Sequence, residues 1–336
     1  MLHVHDRREG VRHGAGQDEL IEPVGELELR PRSPYRLASS VGPPDPCRRY
    51  RGGVLDIRFR VAGGEPLTAR VWQAGDGVVR ARVAAARREA AEAALRRLLR
   101  LDLDHRPFLE LAAGDPLLRP LRARLAGMRP AVAGSVGQAL VRGVAGQLVR
   151  SSEAVRFERR IVAALSPRVD GLRTPPSADD VAAAHPAIFE RAGLSPARAV
   201  SLSRLAALNW EALAARPSDG VETRMRSLRG IGPWTVGVVC SSGLARIDRG
   251  LVGDLGLIRL AGALLERPAE PEDTAALLEP YGEWAGLASA WLLHHPLCAR
   301  GRPAPASRRP PSRPAPLDQP LRDGPPAAGW PAPPRR

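Results

Sequence analysis

The stretch from Leu228 to Leu257 restricts the folds open to this chain more than any other. It reads Leu-Arg-Gly-Ile-Gly-Pro-Trp-Thr, then a helix-like run, then Gly-Asp-Leu-Gly-Leu. Gly230 and Gly232 bracket Ile231 in a turn too tight for most side chains, because only glycine enters positive φ without steric cost. Pro233 suits the first position of a following helix, where its missing N–H would be unpaired anyway. A glycine turn that ends at a helix start aims free backbone N–H groups outward, which makes an anion site. About twenty residues beyond Trp234 stands Asp254, a carboxylate among Val252, Leu255, Leu257 and Ile258. The expectation is a helix, a hairpin and a second helix that grip a backbone phosphate without reading bases, followed by an acid group. Plainer readings exist for both parts. Gly-Ile-Gly can be a C-capping turn between packed helices, and Asp254 an N-cap before Leu255, a role compatible with chemistry.

Charge points to the same kind of partner. The chain has 336 residues and a formal net charge of +14, which favours a polyanion such as nucleic acid. A basic, solvated, arginine-rich surface is the bland alternative. All 50 basic residues are arginine and none is lysine. No side-chain amine can therefore form a Schiff base with a sugar carbonyl; the N-terminal amine alone could. Cys47, Cys240 and Cys298 are far apart and form no C-x-x-C pair, which argues against a zinc or iron–sulfur site and fits free thiols in a reducing cytoplasm. No metal and no cofactor is expected. The first thirty residues are charged throughout, unlike a signal peptide, and no apolar run is long enough to span a membrane.

The chain length allows two domains with tails. Residues 1–24 read as a disordered extension; a histidine tail for metal, through His3, His5 and His13, ranks second. Leu27 to Arg30 is a candidate first strand. Leu55, Ile57, Phe59 and Val61 then alternate with Asp56, Arg58 and Arg60, as in a half-buried strand. Gly63-Gly64 turns it, Leu67, Ala69 and Val71 continue the period, Asp76-Gly77 turns again, and Val79, Ala81 and Val83 form another strand. Arg87 to Leu101 is rich in helix formers and can cover this antiparallel meander. From Leu109 the pattern is helical: Ala139 to Leu165 reads as one or two helices, Ser177 N-caps another, and Ala197 to Leu213 and Thr274 to Leu293 follow. The expected fold class is α+β, with an antiparallel sheet unit and its helices over 25–108 and an all-α domain over 109–299. The proline- and arginine-rich stretch 300–336 reads as a disordered basic tail.

Together these motifs resemble the helix–hairpin–helix DNA glycosylase superfamily, and within it the AlkA-like 3-methyladenine DNA glycosylase II family. Besides Leu228–Leu257, the resemblance rests on Gly146-Gln147-Leu148-Val149, Gly193-Leu194-Ser195, Trp284 with its helix, and the sheet unit leading into Leu101-Asp102-Leu103-Asp104 and Pro107-Phe108. It covers residues 25 to 300. By that resemblance the chain is a monomer that takes double-stranded DNA, flips an alkylated purine such as 3-methyladenine or 7-methylguanine out of the stack, and breaks its N-glycosidic bond. Asp254 matches the family's essential aspartate, where a fixed anion in a dry site stabilises positive charge on the sugar or orients the attacking water. Leu148 matches a wedge that fills the space left by the flipped nucleotide. Trp234 matches an aromatic of the base pocket, suited to a cationic base. Gln147, Gly230, Ile231, Gly232 and Thr235 fall on the DNA-binding positions. Read without the family, Leu148 and Trp234 would be core residues.

The chain also departs from the family pattern. Pocket positions that usually carry aromatics hold Val238, Leu255 and Leu293; Ala285-Gly286-Leu287 follows Trp284; and Arg150 stands where a serine is common. The absence of lysine implies a monofunctional enzyme without strand-cutting lyase chemistry. Two other readings stay open: a DNA-binding paralogue that has lost base selection, and a glycosylase for other lesions such as deaminated bases.

Overall fold

The computed structural model describes residues 24–43 and 45–299. The extension expected before Val24, with its three histidines, and the tail expected over 300–336 lie outside the described residues.

Five strands form an antiparallel sheet: β1 (Val24–Leu29), β2 (Arg48–Arg51), β3 (Val54–Arg60), β4 (Pro66–Gln73) and β5 (Val79–Ala84), in the order β1-β5-β4-β3-β2. The alternation in the sequence sets the pairing. Leu55, Ile57 and Phe59 lie opposite Val71, Ala69 and Leu67, so the apolar residues of both strands share one face. A short helix α1 (Leu37–Ser40) precedes β2. Helix α2 (Arg88–Leu98) covers the apolar face, burying Ala91, Leu95 and Leu98 in a common core with the sheet. Strand β2 was not expected: Arg-Arg-Tyr-Arg has no alternation of its own, and it is held by pairing to β3.

The helical part follows with α3 (Arg106–Gly114), α4 (Arg119–Leu125), α5 (Val136–Ala145) and α6 (Ser151–Leu165). A two-strand hairpin comes next, β6 (Arg168–Val169) and β7 (Leu172–Arg173), then α7 (Ala178–Ala183), α8 (Pro186–Ala192), α9 (Pro196–Ala206), α10 (Trp210–Ala214) and α11 (Ser218–Arg226). The series ends with α12 (Pro233–Ser242), α13 (Leu255–Leu265), α14 (Pro271–Leu278), a 3-10 turn over Glu279–Trp284, α15 (Ala285–Leu292) and α16 (Pro296–Ala299). Ser177 does cap α7, in a capping box with Asp180. The amphipathic run expected from Ala197 to Leu213 is divided, because the Asn209 side chain accepts from Ala212 N–H and starts α10 afresh. The run from Thr274 to Leu293 is also divided, at the 3-10 turn where Gly282 takes φ +48°.

Two cores hold these helices. One joins α5, α6, α9 and α12 through Leu140, Val144, Ile161, Leu202, Val236 and Val239. The other joins α3, α13 and α15 through Phe108, Leu257, Leu260, Trp291 and Leu292. Helices α12 and α13, the two sides of the opening stretch, thus belong to different cores, and the chain between them runs along the seam.

Candidate active site at the seam of two helical cores

The hairpin between α11 and α12 requires glycine at Gly230 but not, as the sequence suggested, at Gly232. Gly230 takes φ +85°, and a Cβ there would meet Ser201 Oγ at 2.8 Å, the hydroxyl that donates to Arg229 O at 3.0 Å. Gly232 is different in kind. Its φ is −100°, it N-caps α12, and a Cβ there would meet nothing within 4 Å. Ile231, between them, turns inward and is buried in the core of α12. The first N–H groups of α12, which have no intrahelical acceptor, therefore open at an uncrowded turn.

The 243–254 segment is pinned at several points before it delivers Asp254. Gly286 N–H donates to Ile247 O at 2.6 Å, Ser289 Oγ accepts from Leu251 N at 3.0 Å, and Thr274 Oγ1 accepts from Gly253 N at 2.7 Å. Gly286 could carry no side chain, because a Cβ would lie 2.7 Å from Ile247 O. That packing gives the departure after Trp284 a local reason. Trp284 itself tilts against Phe108, ring centroids 5.9 Å apart, and buttresses the core of α13.

Asp254 N-caps α13, so the plainer reading holds: Oδ1 accepts from Gly256 N–H at 2.7 Å. Its second oxygen does something a cap does not require. Oδ2 accepts from Trp234 Nε1–H at 3.1 Å, across the seam between the two cores. The carboxylate is half-buried and held in one orientation from two sides. Leu255 beside it is 43% exposed, Val238 is half-buried one turn along α12 from Trp234, and Leu293 packs on the first turn of α13, 2.5 Å from where a Gly256 Cβ would be. The positions around the carboxylate are therefore aliphatic apart from Trp234.

The Gly146–Val149 turn joins this group through the tryptophan. Trp234 Cη2 lies 2.4 Å from where a Cβ on Gly146 would be, so the ring seats directly on that glycine. Gln147 Nε2 donates both to Gly230 O and to Thr235 Oγ1, each at 2.9 Å, which ties the turn to the hairpin. Thr235 is 1% exposed, so its hydroxyl is committed inside the protein. Arg198 donates to Val144 O and Ala145 O at 2.6 and 2.7 Å, satisfying the last carbonyls of α5 just before the turn. Leu148 follows, with φ +53° and 95% of its surface exposed. Left-handed backbone costs a non-glycine residue roughly 1–2 kcal/mol, and full exposure forfeits the burial that leucine usually gains. Folding does not account for either; a residue kept so is a candidate for contact with a partner.

The structure thus brings Asp254, Trp234, Gly146, Gln147, Leu148 and the hairpin glycines into one continuous group. It places Ile231 and Thr235 beneath the surface, as supports of the turn. Arg198 and Ser201, which hold the group in place, carry no local sequence signal, and Gly146, though part of the Gly146–Val149 motif, shows its part as the seat of Trp234 only in the fold. Among the described residues no group of three or more His, Cys, Asp or Glu could hold a metal ion, and no helix is long and apolar enough to cross a membrane. The three cysteines are free and buried, and burial pushes the Cys240 thiol up to about 12.

No protein-family model matches the chain. Among curated proteins it is 30% identical over 223 residues to the probable bifunctional transcriptional activator/DNA repair enzyme AlkA of Mycobacterium tuberculosis, a match covering 62% of this chain and 43% of that one. The chain thus spans less than half the length of that relative. It is 26% identical over 204 residues to the DNA-3-methyladenine glycosylase of Bacillus subtilis, covering 57% of this chain and 67% of that one. Among solved structures, the 3-methyladenine DNA glycosylase of Archaeoglobus fulgidus superposes with a TM-score of 0.68 at 20% identity, over 80% of this chain and 97% of that one. In sequence the chain is thus similar to AlkA-like proteins and DNA-3-methyladenine glycosylases, and it shares its fold with the Archaeoglobus fulgidus structure.

Proposed function

We propose that the protein is a monofunctional, monomeric DNA glycosylase that removes alkylated purines from double-stranded DNA, with a sheet domain over 25–108 and a catalytic domain over 109–299. One observation carries this reading: a carboxylate oriented by Trp234 and the start of α13 shares a scaffold with an exposed, strained leucine. Gly230 and Gly232 shape the turn whose amides meet a backbone phosphate, supported from below by Ile231 and Thr235 and braced by Gln147. Leu148 enters the duplex and holds the gap left by the flipped nucleotide. Trp234, Val238, Leu255 and Leu293 line the space for the extruded base. Cleavage leaves positive charge on the sugar, and Asp254 faces it with a charge that needs no reorganisation. Without lysine, no side-chain amine is present to capture the sugar and cut the strand.

The test is release of free 3-methyladenine or 7-methylguanine from methylated duplex DNA, with a panel including deaminated bases. Wild type releases alkylpurines, and Asp254→Asn lowers the single-turnover rate by at least ~10²-fold. No release of any base, or release undiminished in the variant, refutes the reading. The aliphatic residues at Val238, Leu255 and Leu293 favour one second reading, a DNA-binding paralogue. It predicts salt-sensitive duplex binding with no base released from any lesion.

A further inference from the structure

Away from Asp254 lies an open cleft of about 380 Å³ between β2, the β6–β7 hairpin and α6. Six arginines line it: Arg48, Arg49, Arg51, Arg159, Arg168 and Arg173. Of the residues lining the cleft, Asp45 is a carboxylate, and it is already shared between Arg48 and Arg142, each at 2.9 Å. Arg49 pairs with Asp56, which is shared with Arg70. Arg168 and Arg173 donate to the carbonyls of Gly171 and Ser166, contacts that aim the guanidinium groups without neutralising them. Arg48 is held deepest, its side chain 8% exposed, and its Nη1 has no hydrogen-bond partner among the described residues. A buried cationic donor without an acceptor is costly unless something supplies one. Low-dielectric walls also concentrate the positive field of such a cleft.

We infer that this cleft is a second anion site, and that it binds backbone phosphates of the duplex beyond the flipped nucleotide. Guanidinium forks match phosphate oxygens in pairs. No aromatic side chain lines the cleft, so a base has nothing to stack on and the site takes backbone irrespective of sequence. The outer side of α6 leads to it from the Leu148 turn: Arg150 precedes the helix, and Arg156, Arg159 and Arg160 are exposed along it. At 1.5 Å per residue, Leu148 and Arg159 are separated by about 16 Å along the chain, roughly five base-pair steps of 3.4 Å. One duplex engaged at Leu148 can therefore extend to the cleft. The inference rests on the glycosylase reading for the identity of the polyanion.

The test uses the full chain and undamaged duplex, so base release does not enter. Kd is measured against salt for wild type, for Arg51→Ala with Arg168→Ala, and for a charge-matched control, Arg82→Ala with Arg87→Ala, near the opposite edge of the sheet. Each lost phosphate contact lowers the slope of log K against log salt by ~0.9. The cleft variant is expected to lose between about 1 and 2 from the slope, and the control much less. Hydrogen exchange on the wild-type protein gives an independent measure, with duplex expected to protect 48–51 and 168–173. An unchanged slope with no protection overturns the inference, as does an equal loss in the control. Competition with inorganic tripolyphosphate separates the sources: if it protects these segments while duplex does not, the site takes a free anion and the backbone assignment fails. A protein that excises bases normally with an unaltered slope in the cleft variant refutes this site alone. Absence of duplex binding by wild type refutes both readings.

Discussion

Trp234 does two jobs that one substitution separates. Its ring rests on Gly146 beneath the Leu148 turn, and its Nε1–H fixes one oxygen of Asp254. Trp234→Phe keeps much of the apolar surface and removes the donor. A hydrogen bond to a charged group contributes roughly 1.5–3 kcal/mol, so single-turnover excision is expected to fall by about 10–100-fold. Stability read from the denaturation midpoint should fall too, by no more than the same roughly 1.5–3 kcal/mol. Excision at the wild-type rate in the phenylalanine variant would show that the tryptophan only fills space. The aspartate's cap to Gly256 survives in either case, which keeps the start of α13 in place.

Between elements, the decisive contacts are glycine to backbone. A Cβ on Gly237 of α12 would lie 2.3 Å from Gly250 O, so this helix and the segment that carries Asp254 touch without a side chain between them. Gly237→Ala must push that segment away, at a cost of roughly 1–3 kcal/mol in urea unfolding, and excision should fall with it. Gly232→Ala meets nothing within 4 Å and needs no forbidden φ. It is expected to leave stability within ~1 kcal/mol of wild type, the scale of an N-cap effect, while weakening duplex binding by crowding the turn. Equal effects of the two substitutions on unfolding would show that the hairpin glycines serve packing alone.

Across the whole molecule, arginine supplies the ties between the sheet and the helical body. Arg100, buried, donates to Pro130, Ser241 and Ala245 carbonyls at 2.8, 2.6 and 2.6 Å. Arg58 reaches Thr174 and Arg60 reaches Asp180, so the polar side of β3 faces the helical part as well as solvent. His105 sits at the same junction, its Nε2 2.7 Å from Ala126 O and its Nδ1 2.6 Å from Ser33 Oγ. A carbonyl only accepts, so Nε2 carries the proton. Burial, with Arg129 adding to it, lowers the His105 pKa. A histidine depressed on folding favours the native state while neutral; that contribution is complete above the ordinary value of about 6.5 and is lost as pH falls below it. The urea midpoint should accordingly drop between about pH 7 and 5. His105→Gln should flatten that drop in part, since burial lowers His294 and His295 as well. An unaltered pH profile in the variant would refute the assignment.

The sequence by itself determined what depends on near neighbours. Alternation from Leu55 to Val83 gave the strands and their inward face, Gly230-Ile231-Gly232-Pro233 gave the turn, and Asp254 before Leu255 gave the cap. These follow from φ restrictions and side-chain period, which act over a few residues. Strand β2 and the β6–β7 hairpin were not legible, because their pairing is made by partners elsewhere in the chain. The division of the helix at Asn209 was likewise decided by a side-chain cap that competes with a continuous apolar period. The tertiary structure alone decided how the site converges: Gln147 reaches Gly230 across 83 positions, Trp234 meets Asp254 across the seam of two cores, and Leu148 is left outside both. It also gathered the arginines of β2, α6 and the β6–β7 hairpin into one cleft. Such arrangements are set by which helices share a core, a property of packing that no local pattern encodes.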